Sequence, residues 1–138
     1  MNFKIDNVNV DELNSKSPSI LINFFHVLSI IYSKTTRQHT PEFILYKTRE
    51  FLKEALYWIN SMYTVNDELE SSIRNNVNEN VKLFQEGTET PDRLIEFTSN
   101  SLILGDPKMQ LDIIDYIIIL LSLVSYKYGY TLDQVLDF

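Results

Sequence analysis

The sequence predicts an all-α protein, a single-domain bundle of five main helices followed by a short C-terminal turn. Each of the four prolines follows a serine, threonine or aspartate. These residues cap helix N-termini, and proline is favoured at the first helical position. We therefore place a helix start at each of four pairs: Ser17–Pro18, Thr40–Pro41, Thr90–Pro91 and Asp106–Pro107. Only three glycines are present, which is too few for a turn-rich β-fold.

The first helix is predicted to begin at Ser17–Pro18, after an N-terminal polar arm at residues 1–16, so that the helical domain spans residues 17–138. Its apolar stripe is wide enough to leave little polar face, which predicts a central position in the bundle. The middle of the stripe consists of Ile20, Phe24, Val27, Leu28 and Ile31, and it is widened by Leu21, Ile22, Phe25 and Ile30. A second helix begins at Thr40–Pro41 and reaches about Tyr63, with apolar residues at helical spacing.

Two further helices follow, each bounded by residues that are typical of helix ends. Asn66 is a suitable N-cap for the third helix, and Gly87 is a suitable C-cap because glycine adopts the left-handed conformation that ends many helices. This helix has a narrow apolar stripe and a wide polar surface. Thr90–Pro91 begins a short fourth helix that is predicted to close near Gly105.

The fifth helix is predicted to run from Asp106–Pro107 to about Tyr128, where Gly129 stops it. It is apolar nearly all round over residues 113–124, so it should be the most buried helix and, with the first, form the centre of the bundle. A final turn follows, with a capping box formed by Thr131 and Gln134.

The charge of the chain is distributed unevenly. The net charge is −7, and residues 1–64 carry 6 acids and 7 bases whereas residues 65–138 carry 13 acids and 5 bases. An acidic surface repels phosphate backbones, so we expect a basic protein partner and no direct nucleic-acid binding. The absence of cysteine excludes disulfides and thiolate zinc sites. With no signal peptide and no membrane-length apolar run, we expect a cytoplasmic protein without a membrane partner; its oligomeric state stays open.

The acidic second half favours a small interaction protein, of the inhibitor or immunity type, that covers a basic partner such as a nucleic-acid-processing enzyme or a toxin. The abundance of asparagine and isoleucine suits an AT-rich genome such as that of a phage or a mobile element. This hypothesis needs no cofactor and no catalytic residue. The expected partner-binding residues are acids of the third helix and the loop after it: Asp67, Glu68, Glu70, Glu79, Glu86 and Glu89.

Asp112 and Asp115 lie one turn apart where the apolar part of the fifth helix begins, and two interpretations are open. Carboxylates at positions i and i+3 project from one helix face and can hold magnesium. Acids near a helix N-terminus also interact favourably with the helix dipole, which gives the same residues a structural role. The structural role is the favoured interpretation.

This segment resembles the last part of the MazG-type all-α nucleotide pyrophosphohydrolases. The resemblance is carried by residues 111–118 and 128–136, within a partial match over residues 94–136. In that family an E-x-x-D pair and an earlier E-E-x-x-E helix hold magnesium on a nucleotide triphosphate. The resemblance thus implies an alternative function, a magnesium-dependent nucleotide pyrophosphohydrolase with Asp112 and Asp115 as ligands. Asp112 stands in place of the family's glutamate, so the metal-ligand set is incomplete unless Glu50, Glu54 or Glu96 contributes.

Other polar and aromatic residues have simpler interpretations. Glu50 and Glu54 lie close to Lys47 and Lys53 on the polar face of the second helix, which is typical of a solvated charged face. His26, between two apolar residues, is expected to be partly buried. Tyrosines crowd the end of the fifth helix as interface anchors do, at Tyr126, Tyr128 and Tyr130.

Overall fold

The computed structural model describes residues 3, 10–31, 40–104 and 111–137. Over these residues the chain is helical without a strand, which confirms the predicted all-α single-domain bundle. The helices are α1 (Val10–Ile31), α2 (Pro41–Met62), α3 (Asp67–Glu86), α4 (Pro91–Leu104), α5 (Ile113–Tyr128) and α6 (Leu132–Val135). None of the described helices combines the length and the apolar character needed to cross a membrane.

Four helices begin at the N-caps that the sequence predicts. The side chains of Thr40, Asn66 and Thr90 each accept a hydrogen bond from the backbone amide three residues further on, at 3.2, 2.9 and 3.3 Å. The short helix α6 has the predicted capping box, in which Thr131 and Gln134 each accept a hydrogen bond from the other's amide. These bonds satisfy amides that have no partner within the helix.

Glycine ends two of the helices, again as predicted. Gly87 follows α3 with φ 75°, and Gly129 follows α5 with φ 72°. This left-handed conformation strains any residue that has a Cβ atom, so the sequence signal is specific. The described part of α4 extends to Leu104, and the predicted stop at Gly105 lies outside the described residues.

The predicted start of the first helix at Ser17–Pro18 is wrong, because α1 begins at Val10 and includes Pro18. An interior proline lacks the amide that would bond to the carbonyl four residues earlier, at a cost of about 3 kcal/mol. The sequence before Pro18 is nevertheless compatible with a helix start, since Asp11 and Glu12 are the second and third residues of α1 and acidic residues are favoured near helix N-termini. The segment predicted as a polar arm, residues 1–16, therefore overlaps the start of α1.

The predicted start of the fifth helix is also wrong. Asp106 and Pro107 lie outside the described residues, but residues 111 and 112 are not helical and α5 begins at Ile113. Asp112 is the N-cap, and its carboxylate accepts hydrogen bonds from two backbone amides of the first turn. A cap with two such bonds defines the helix start six residues after the position that the proline indicated.

Contacts between helix ends give the direction of the chain through the bundle. The ammonium of Lys127, near the end of α5, donates to the carbonyl of Ile31 at the end of α1, so both helices end on the same side. Side-chain contacts between α3 and α5 advance by four residues on both helices, which is the pattern of a parallel pair: Asn80 with Ser122, and Phe84 with Tyr126. Helices α1, α3 and α5 therefore run in the same direction.

Helix α5 lies at the centre of the bundle, as predicted, and packs against α1, α2 and α3. The ring of Phe24 on α1 joins three helices, since its centre lies 5.5 Å from that of Phe51 on α2 and 4.9 Å from that of Tyr116 on α5. Helix α2 packs against α1, α5 and α6 and so shares the central position. Helix α1 directs its stripe mainly at α2 and leaves Ile22 66% exposed.

Residues from both ends of the described chain complete the core. Phe3 is fully buried, and its carbonyl accepts a hydrogen bond from the Asn60 side chain of α2 at 2.9 Å. At the other end, α6 and the residue after it bury Leu132, Val135 and Leu136. The core is therefore built from segments that lie far apart in the sequence.

Candidate functional site

The outer face of α3 carries a straight row of carboxylates. Ile73, Val77 and Phe84 are buried on the inner face of this helix. Glu68, Glu79 and Glu86 are exposed on the opposite side, separated by 11 and 7 residues, which is close to three and two helical turns. At 1.5 Å per residue, these three residues (the α3 acidic row) span about 27 Å.

The carboxylates of the α3 acidic row form no ion pair within the described part of the chain. None of its three side chains has an ion-pair or hydrogen-bond partner among the described residues, and Lys82, exposed between Glu79 and Glu86, forms no ion pair there either. Asp67 is exposed as well, at the first residue of α3 and away from the row. The Asn66 cap and Gly87 fix the two ends of this helix. The row is thus held on a rigid element with its carboxylates directed to solvent.

Two of the six predicted partner-binding acids are engaged elsewhere. Glu70 accepts hydrogen bonds from Nε and Nη2 of Arg74 at 3.2 and 3.1 Å. Glu89 is half-buried in the loop after α3, where it accepts a hydrogen bond from the amide of Thr90 at 3.2 Å and lies 4.0 Å from Arg93. The structure therefore brings three of the predicted acids into one row and places the others apart from it.

Asp112 and Asp115 have structural hydrogen-bond partners. Asp112 Oδ1 accepts from the amides of Ile114 and Asp115 at 2.9 and 3.1 Å, and Asp115 Oδ2 accepts from the Asp112 amide at 3.0 Å. The Tyr63 hydroxyl donates to Asp112 Oδ2 at 3.2 Å. Burial raises the pKa of Tyr63, and the neighbouring charge of Asp112 raises it further. Asp112 and Asp115 together form the reciprocal cap of α5.

Glu50 and Glu54 border an open groove between α1 and α2 of about 340 Å³, lined also by Asn23, Tyr46 and Lys53. Glu50 is paired with Lys47 at 3.2 Å. Burial raises the pKa of Glu50, but hydrogen bonds from Tyr46 and Lys47, together with the charges of Lys47 and Lys53, outweigh that effect, so its pKa lies below the ordinary value. Glu50 is therefore held in its charged form.

Glu96, the remaining acid of the predicted metal site, is exposed on α4. In the part of the chain that the structure describes, no three acidic or histidine side chains gather closely enough to hold a metal ion. The magnesium site implied by the sequence resemblance stays a prediction.

Sequence reasoning missed Arg74 as a connecting residue. Its Nη2 bonds Asp133 at 3.1 Å as well as Glu70, and its guanidinium carbon lies 5.7 Å from the centre of the Phe3 ring. The spacing of Glu70 and Arg74, four residues apart on one helix, is the signal that could have identified the local part of this cluster. No sequence pattern indicated the contacts with Asp133 and Phe3.

The exposure of one histidine differs from the sequence prediction, and one tyrosine at the end of α5 lies at the surface. His26 is exposed, so the expected partial burial is wrong. It lies on the outer side of α1 because Phe24, Val27 and Leu28 occupy the inner side. Tyr126 is 40% exposed and packs edge-on against Phe84 of α3, which fixes it close to the end of that helix.

Comparisons of the chain with protein-family models, with curated proteins and with solved structures found no match. A functional assignment therefore depends on the geometry and charge of the chain itself.

Proposed function

We propose that this chain is a small interaction protein that binds a basic partner protein through the α3 acidic row, as an inhibitor or immunity-type protein would. The observation that carries the proposal is that Glu68, Glu79 and Glu86 are exposed in one line and have no ion-pair partner among the described residues. A nucleic-acid-processing enzyme or a toxin with a basic cleft is the kind of partner that suits such a row.

Charge complementarity supports this proposal through the kinetics of association more than through affinity. Exposed ion pairs contribute only about 0–1 kcal/mol each, so three carboxylates do not produce tight binding by themselves. They do steer a basic partner into the encounter complex and exclude acidic proteins. A row about 27 Å long matches the extent of an ordinary interface of roughly 800 Å² per partner. The affinity would come from apolar and aromatic anchors around the row.

The proposal is tested by capture of partner proteins on three immobilised proteins: the wild type, a row variant E68Q/E79Q/E86Q, and a control variant E42Q/E96Q/D137N. Both variants remove three exposed acids and so have the same net charge. We expect the wild type and the control to retain the same basic protein from the native cell extract, and the row variant to retain clearly less of it. Raising the ionic strength should release it, because salt screens exposed charges.

Circular dichroism of all three proteins before capture would show that each is folded. Equal retention of that protein by the row variant and the wild type would overturn the proposal. Retention that is insensitive to salt would overturn it as well.

A further inference from the structure

We draw no further inference here: the strongest candidate, the open groove between α1 and α2 lined by Asn23, Tyr46, Glu50, Lys53 and Glu54, carries nothing because Glu50 is already paired with Lys47 and nothing in the structure shows what covers it.

Discussion

Arg74 joins three parts of the chain through one guanidinium group. It binds Glu70 on its own helix and Asp133 on α6, and it lies over the ring of Phe3. Arginine suits this position because its planar group combines several donors with the ability to stack on an aromatic ring. The pair with Glu70 is predictable from helical spacing. The contact with Asp133, 59 residues away, depends on the tertiary fold and has no local signal.

We expect Arg74→Ala to lower the free energy of unfolding by about 1–2 kcal/mol, because it removes two ion pairs and the contact with Phe3. Arg93→Ala is the matched control, since Arg93 is 72% exposed and its nearest carboxylate oxygen is 4.0 Å away. That change should stay within about 0.5 kcal/mol of the wild type. Urea denaturation measures both. Equal losses in the two variants would contradict the role of Arg74.

Glu50 is expected to make stability depend on acid pH. Its pKa in the folded protein lies below the ordinary value of 4.5, so the folded state binds fewer protons than the unfolded state near that pH. The stabilising contribution is therefore present above about 4.5 and is lost as the pH falls through the folded-state pKa. Comparing the unfolding of wild type and Glu50→Gln, we expect a difference at neutral pH that shrinks in acid. Glu96→Gln is the control. A difference in the free energy of unfolding between wild type and Glu50→Gln that stays constant with pH would refute this account.

At the scale of the helices, side-chain caps explain which boundaries the sequence predicts. Asn66 and Gly87 bound α3 in the structure as they do in the sequence, because each acts through a local hydrogen bond or a local backbone conformation. Ser17–Pro18 satisfies the same local rule but lies inside α1. A proline is compatible with a helix start without requiring one, so the outcome there depends on the residues before it and on packing. Helix α5 begins directly after Asp112, because the reciprocal cap that Asp112 forms with Asp115 defines its N-terminus.

The cap of α5 gives a prediction that separates hydrogen bonding from charge. Asp112→Ala should lower the free energy of unfolding by about 1 kcal/mol, whereas Asp112→Asn should retain most of the stability, because asparagine is an equally good N-cap. Thermal unfolding monitored by circular dichroism measures the difference. Asp137→Ala, at an exposed position outside the helices, is the control. If alanine and asparagine at residue 112 reduce stability equally, the cap is not the source of the effect.

For the whole molecule, the net charge of −7 matters mainly through its placement. The spacing of Glu68, Glu79 and Glu86 puts them on one helix face, so the α3 acidic row is predictable from the helical period once α3 is recognised. The pairing of Glu70 with Arg74 is predictable from their spacing on α3. The contacts of Arg74 with Asp133 and Phe3 are not, because they depend on the tertiary fold. Carboxylates without partners repel one another, which is a small cost to folding and an advantage in attracting a basic protein.

We expect the row variant E68Q/E79Q/E86Q to unfold within about 0.5 kcal/mol of the wild type, since exposed substitutions away from buried networks have small effects. With the captured partner, the wild-type association rate constant should fall steeply as ionic strength rises. The row variant should associate more slowly and with a weaker dependence on salt. Stopped-flow fluorescence measures these rates, with E42Q/E96Q/D137N as the control. A row variant with the wild-type salt dependence would show that the row does not steer association.

The position of α6 in the core has a consequence for how the chain is made. Arg49 of α2 donates to the backbone carbonyls of Gln134 and Val135, which are 85 and 86 residues further along the chain. A nascent chain is synthesised from its N-terminus, so α2 emerges from the ribosome long before these acceptors exist. Contacts between segments so distant in sequence also slow folding, because a long loop must close before they form. The bundle can therefore be completed only after α6 has been synthesised and has emerged from the ribosome.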